Sequence, residues 1–254
     1  MVGYVMLALG GLLFGAMVYR YDMHEREPWW MLVSAVIAGG VIMVFVFLIE
    51  GAVQTELLPG LPEWVQRFFK ALMAGTLEEI GKLAVPVMIL LLVRKYFNDP
   101  MDGLVYGSMA GLGAALYESL WYTVFVHKPV DAPLLHEQGP NALRLLLHTV
   151  WGGIGGYALG HIIRKEPWKQ SLAKCMGAVM LIHFVWDFFL AFVPPQDQNQ
   201  GHKLVAAMLL AASIVWYGVL VVRVNKWSRA MHAPTSKQKL FGKIVRAVIF
   251  RRFK

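Results

Sequence analysis

The sequence predicts an all-α protein, a polytopic transmembrane helical bundle of about seven spans with the N-terminus outside and the C-terminus cytoplasmic. Three observations carry this. Hydrophobic residues make up 57% of the 254 residues and charged residues only 16%, against about 45–50% and about 25% in an average soluble domain. Seven stretches approach the roughly 20 mostly apolar residues that a membrane-crossing helix needs. Lys and Arg fall unevenly between the loops that those stretches define. An apolar excess of this size cannot be hidden in one soluble core, which excludes a soluble enzyme and a disordered chain.

The stretches run near 2–19, 30–49, 64–93, 102–126, 143–163, 172–193 and 203–223. The first lacks the basic n-region and A-x-A site of a signal peptide, so a retained span is expected. The third is long and opens on polar ground, at Trp64-Val65-Gln66-Arg67. The fourth carries Gly103, Gly107 and Gly111, and the fifth Gly152, Gly156 and Gly160. Glycines four apart share a helix face and permit close helix contact. The longest outer loop, 127–142, holds Pro129, Pro133 and Pro140 and is expected to cover the outer mouth. Cys175 is the single cysteine, so no internal disulfide forms and the redox compartment stays unread.

Orientation follows from the basic residues, which concentrate on the cytoplasmic side. With seven spans, one side collects eighteen Lys and Arg, ten of them from Arg223 to Lys254, and the other side five. The richer side is expected to be cytoplasmic. The chain then divides into a bundle over 1–223 and a basic tail over 224–254. In the tail, Phe241, Ile244, Val245, Val248, Ile249 and Phe253 recur at helical spacing among Lys and Arg. Such a helix lies on an anionic lipid surface. The net charge of +8 would also suit nucleic acid, but no nucleic-acid fold signature accompanies it.

Seven ionisable residues lie inside the predicted spans: Glu78, Glu79, Lys82, Glu118, His148, His183 and Asp187. Such groups cost about 2.5–3.5 kcal/mol each at mid-membrane and are functional suspects by default. They come from four spans. At about 1.5 Å of rise per residue from the proposed cytoplasmic ends, Glu78, His148 and Asp187 lie roughly 22 Å up, Glu79 roughly 21 Å, Glu118 roughly 24 Å and His183 roughly 17 Å. Scattered polar residues would not converge on one layer. The layer implies one polar site, buried in the bundle and reached from the outer side. A structural buried ion pair is the plainer reading of Glu78, Glu79 and Lys82, but it uses one carboxylate of two. Glu78 precedes Lys82 by four, the favourable order for a pair, and Glu79 points about 100° away. One carboxylate is then neutralised and the other free, as acid–base chemistry requires. His183 and Asp187 are also four apart, which lets the Asp orient the imidazole.

These residues form a series that resembles the PrsW family of intramembrane proteases, distant relatives of the CAAX prenyl proteases. The E-E-x-x-K element appears as Glu78-Glu79-Ile80-Gly81-Lys82, and a glycine-rich helix from Gly111 ends in Glu118-Ser119. His148-Thr149-Val150-Trp151 leads the next element and His183-Phe184-Val185-Trp186-Asp187 the last. The acidic segment Asp22-Met23-His24-Glu25-Arg26-Glu27-Pro28 is similar to the family's first loop. The resemblance covers residues 20–190 and departs at Ser119, where the family pattern has Asn and a hydroxyl reaches less far than an amide.

The resemblance implies hydrolysis of a peptide bond in a membrane-anchored protein or peptide, within or near the outer half of the bilayer of a bacterial cell (inner) membrane. Its best-known role is the first, site-1-type cut of an anti-sigma factor. Two mechanisms fit the residues. In one, Zn²⁺ or another divalent metal is held by His148, His183 and one or both of Glu79 and Glu118, with Glu78 or Glu79 as general base. In the other, a glutamate polarised by the histidines activates water directly. Asp187 supports either scheme, Lys82 tunes the carboxylates, and Ser119 assists Glu118. Two other classes stand beside the protease. Buried Glu and His also build proton- or ion-coupled transporters, and a basic tail serves a membrane scaffold.

Overall fold

The computed structural model describes residues 2–126, 138–191 and 199–233. It is helical throughout, with no strand among the described residues. The helices are α1 (Val2–Tyr21), α2 (Trp29–Glu56), α3 (Glu63–Met73), α4 (Glu79–Leu92), α5 (Asp102–Trp121), α6 (Gln138–Tyr157), the short α7 (Gly160–Ile163), α8 (Trp168–Trp186) and α9 (Gln200–Met231). Among the described residues, each of the seven apolar stretches falls on helix, with a break between α6 and α7 inside the fifth. The chain is an integral membrane protein: α1, α2, α9 and α8 with its extension to Leu190 are each long and apolar enough to cross a membrane. The helices over 64–93, 102–126 and 143–163 carry most of the polar residues, which lowers their apolar content. α9 continues eight residues past the predicted boundary at 223. The amphipathic segment of the tail, His127 and His136 lie outside the described residues.

α5 is the central helix. Every residue from Asp102 to Ala115 is buried, because α5 packs on α6, α2, α4 and α1. Glycine makes that possible. A methyl group on Gly103, Gly107 or Gly111 would collide with the carbonyl of Gly156, Gly152 or His148 respectively. The two glycine rows therefore bring α5 and α6 into backbone contact, as their spacing implied. Gly113 meets the Val36 carbonyl on the opposite face of α5. The Gly111 contact fixes where His148 stands relative to α5.

Among the described residues, three π-helical turns adjoin the α-helices, at Ala74–Glu78, Tyr122–Val126 and Asp187–Ala191. Such turns are rare and concentrate at functional sites. In the first, the Thr76 hydroxyl donates to the Leu72 carbonyl at 2.6 Å, a local bond that competes with regular helix pairing. Gly75 lets α8 approach this turn, since a side chain there would meet the Met180 carbonyl and the Phe184 amide. Glu78 ends one π turn and Asp187 begins another.

Candidate active site

The site is assembled from the α3–α4 junction, α5, α6 and α8. Glu78, Glu79, Lys82, His148, His183 and Asp187 are all buried, and the Glu118 side chain is 13% exposed. The structure brings every one of them together with Ser119.

The two adjacent glutamates have different partners. Glu79 Oε1 lies 2.5 Å from Lys82 Nζ and 2.7 Å from His183 Nδ1. Lys82 thus pairs with Glu79 at three residues, not with Glu78 at four. Glu78 Oε2 has no hydrogen-bond partner. It faces His148 Nδ1 at 3.8 Å and His183 Nε2 at 3.9 Å. Asp187 Oδ2 stands 3.5 Å from the same His183 nitrogen. The contacts assign the tautomers. His183 carries its hydrogen on Nδ1, towards the Glu79 carboxylate, and turns the Nε2 lone pair to Glu78 and Asp187. His148 Nε2 stands 3.1 Å from Glu118 Oε2 as a charge contact without hydrogen-bond alignment. His148 Nδ1 accepts from Lys82 Nζ at 3.2 Å and faces Glu78.

Two imidazole lone pairs and a carboxylate oxygen without a partner therefore converge. Glu78, His148 and His183 can each offer one donor atom within 4.8 Å of the others. The separations of 3.8 and 3.9 Å are too long for hydrogen bonds. They are nearer to the spacing of two ligands on one tetrahedral ion, about 3.4 Å for bonds of about 2.1 Å. Each imidazole is backed by a carboxylate on its other nitrogen, the arrangement that orients metal-ligating histidines. The donor set fits a divalent ion. Glu79 and Glu118 stand behind the histidines.

Two further residues belong to the site and escaped the sequence reading. Arg144 is one of the five basic residues that the predicted topology puts on the outer side, with Arg67, Lys70, Lys128 and Lys203. Its Nε lies 3.1 Å from Glu118 Oε1, and its Nη1 donates to Ser119 Oγ at 3.3 Å and to Asn141 Oδ1 at 2.9 Å. Its guanidinium also lies over the Tyr122 ring, 4.6 Å from the centroid. The signal was its spacing, four residues before His148 on one helix face. Glu50 lies one residue past the predicted 30–49 span. It is buried, one of its oxygens has no hydrogen-bond partner, and it interacts electrostatically with Glu118, Asp187 and Lys82. Trp151 walls the site, its ring 4.7 Å from that of His183, and its indole N–H donates to Ser213 in α9 at 3.1 Å.

The chain is similar to known proteins along most of its length. The sequence model of the PrsW-protease family, described as PrsW family intramembrane metalloprotease, matches residues 27–223. Protease PrsW of Clostridioides difficile (strain 630) is 29% identical over 246 residues, covering 94% of this chain and 95% of its own. Protease PrsW of Bacillus subtilis (strain 168) is 27% identical over 182 residues, 71% of this chain and 78% of its own. That of Oceanobacillus iheyensis is 26% identical over 165 residues, 65% and 72% respectively. No solved structure matches the chain.

Proposed function

The chain belongs to the PrsW family of intramembrane proteases, and on that premise we propose that it hydrolyses a peptide bond at a divalent metal centre held by Glu78, His148 and His183. One observation carries this reading: the Glu78 oxygen without a hydrogen-bond partner, set between two imidazole nitrogens. When bound, the ion supplies a Lewis acid for the scissile carbonyl and lowers the pKa of a water to about 7.

The remaining work falls to the side chains. Glu79 holds the His183 hydrogen and fixes the ring, while Lys82 neutralises Glu79. Glu118 stands behind His148 and is itself held by Arg144. In this reading Glu79 and Glu118 orient the ligands, and Lys82 keeps only its Glu79 contact once the His148 lone pair is taken. Asp187, on the lone-pair side of His183, accepts the proton of the attacking water and delivers it to the departing amide nitrogen. The buried surroundings exclude bulk water and strengthen each of these interactions.

The substrate we infer is a membrane-anchored protein of the anti-sigma-factor type, cut near the outer half of a bacterial cell membrane. Seven spans with the site layer towards the outside would admit such a cut. Family membership favours hydrolysis over the transporter reading. The test is cleavage of a library of single-span membrane peptides by the purified protein in liposomes. Wild type cleaves; Glu78→Gln and His183→Ala insert, fold and do not. Full activity in either variant would overturn the assignment.

A further inference from the structure

The far end of α5 from Glu118 gathers a second cluster that the proposed reaction does not use. Asp22, Glu25 and Glu27 come from the α1–α2 connection, Asp99 from the α4–α5 connection, and Asp102 opens α5. Asp22, Glu27, Asp99 and Asp102 are at most 4% exposed. Among the described residues no Lys or Arg pairs with any of these five carboxyl groups. Their compensation is local and incomplete. Asp102 Oδ2 accepts the amides of Asn98 and Asp99 at 2.7 and 2.8 Å, and Asp99 Oδ1 accepts that of Met101 at 2.7 Å. The Tyr106 hydroxyl donates to Glu27, and Asp22 Oδ2 accepts the Glu27 amide at 3.1 Å. Glu27 and Asp102 share a side-chain hydrogen bond, and the buried Asp22 Oδ1 keeps no partner.

One imidazole enters from another helix. His232, just past the end of α9, sets Nε2 3.1 Å from Glu25 Oε2 and 3.0 Å from Asp99 Oδ2. Asn98 Nδ2 holds the other Glu25 oxygen at 2.7 Å. Glu25, Asp99 and His232 each offer a donor atom within 4.8 Å of the others. Asp22 lies beside them, in electrostatic range of Glu25, Glu27 and Asp99.

We propose that Glu25, Asp99 and His232, with Asp22 behind them, bind a first-row divalent cation of the Mn²⁺ or Zn²⁺ kind. Buried charges are paired or coordinate a metal, and Glu25 and Asp99 share the one His232 imidazole. Oxygen-rich donors with a single imidazole suit these ions. The ion would tie the end of α9, where the chain passes into its basic tail, to the first loop and to the start of α5. It is separate from the ion proposed between Glu78 and the two histidines.

The test uses the full chain in detergent with Mn²⁺ as probe, bound ion being read by electron paramagnetic resonance. In a His148→Ala/His183→Ala background, one saturable Mn²⁺ per chain is expected. Glu25→Gln and His232→Ala, both at half-exposed side chains, each weaken it at least tenfold. If that background does not fold, the wild type serves, with two ions per chain expected against one in Glu25→Gln. Absence of the second ion, or unchanged affinity in both variants, overturns the proposal. So does a metal-free chain whose His232→Ala variant is merely less stable, since His232 would then be a structural clamp. Failure of the proposed catalytic site alone would change the count set by His148 and His183 and leave that set by Glu25 and His232.

Discussion

Glu78 and Glu79 are consecutive, yet they take opposite sides of one imidazole. Glu79 Oε1 lies 2.7 Å from His183 Nδ1, and Glu78 Oε2 faces His183 Nε2 at 3.9 Å. One carboxylate therefore sets the ring's hydrogen, while the other shares the space in front of its lone pair. Lys82 binds the first and leaves the second without a hydrogen-bond partner.

Exchanging the two carboxylates for amides separates these duties. Glu78→Gln is expected to lose bound metal and cleavage together, because it removes a donor. Glu79→Gln is expected to retain metal with affinity lowered about 10–100-fold, the usual cost of losing a carboxylate behind a ligating histidine. Elemental analysis and a competition titration on the two folded variants check this. Equal metal content in both at limiting ion would remove the distinction.

The Glu79–Lys82 pair is fully buried. Removing one partner of such a pair costs about 3–5 kcal/mol, while removing both as a unit costs far less. Lys82→Met is expected to destabilise the fold by that amount. Adding Glu79→Gln to it should restore part of the stability without restoring activity. Thermal unfolding of the two single variants and the double variant in detergent measures the coupling, and additive losses would mean that the pair contributes nothing as a pair.

Much of this site was legible because depth along a helix is simple arithmetic. A fixed rise per residue put Glu78, Glu118, His148 and Asp187 in one layer without any knowledge of packing. Angle was less legible. Spacing alone favours Glu78 as the partner of Lys82. The π turn lies before this stretch, and Glu78 and Glu79 keep α-helical dihedrals, so Lys82 has both carboxylates within helical reach and takes Glu79, which His183 also contacts. Nothing in Ala74-Gly75-Thr76-Leu77-Glu78 announces that turn, since it also depends on how closely α8 approaches Gly75. Arg144 was misplaced for a related reason. A basic residue near a span's end resembles a loop charge, and only its α5 partners Glu118 and Ser119 show that it belongs inside. The glycine rows of α5 and α6 were read correctly as contact surfaces, because the absence of a side chain is a property of the residue itself.

Arg144 supports His148 through Glu118, so its variants should grade by geometry. The guanidinium reaches Glu118, Ser119 and Asn141 at once, and a lysine ammonium cannot reproduce that fork. Arg144→Lys is expected to lower the cleavage rate about 10–100-fold, and Arg144→Ala to lower it further. Metal content should fall less than activity in both. Rates on one membrane peptide, set beside bound metal, test this order. Wild-type activity in Arg144→Ala would mean that Glu118 needs no cation.

Gly111 connects the packing of the bundle to the chemistry of its site. A methyl group there runs into the His148 carbonyl, and a backbone carbonyl inside a helix cannot swing aside as a side-chain tip does. Overpacking costs about 1–3 kcal/mol, and Gly111→Ala is expected at or above the top of that range. The displaced segment is the one that carries His148, so metal affinity should fall along with stability. Gly177→Ala is the control, because its added methyl would meet nothing within 4 Å. Replacing a mid-helix glycine by alanine otherwise favours the helix by about 0.5–1 kcal/mol. Thermal unfolding with metal analysis should therefore move in opposite directions for the two variants. If Gly111→Ala unfolds at the wild-type temperature with full metal, then the close approach of α5 and α6 does not position His148.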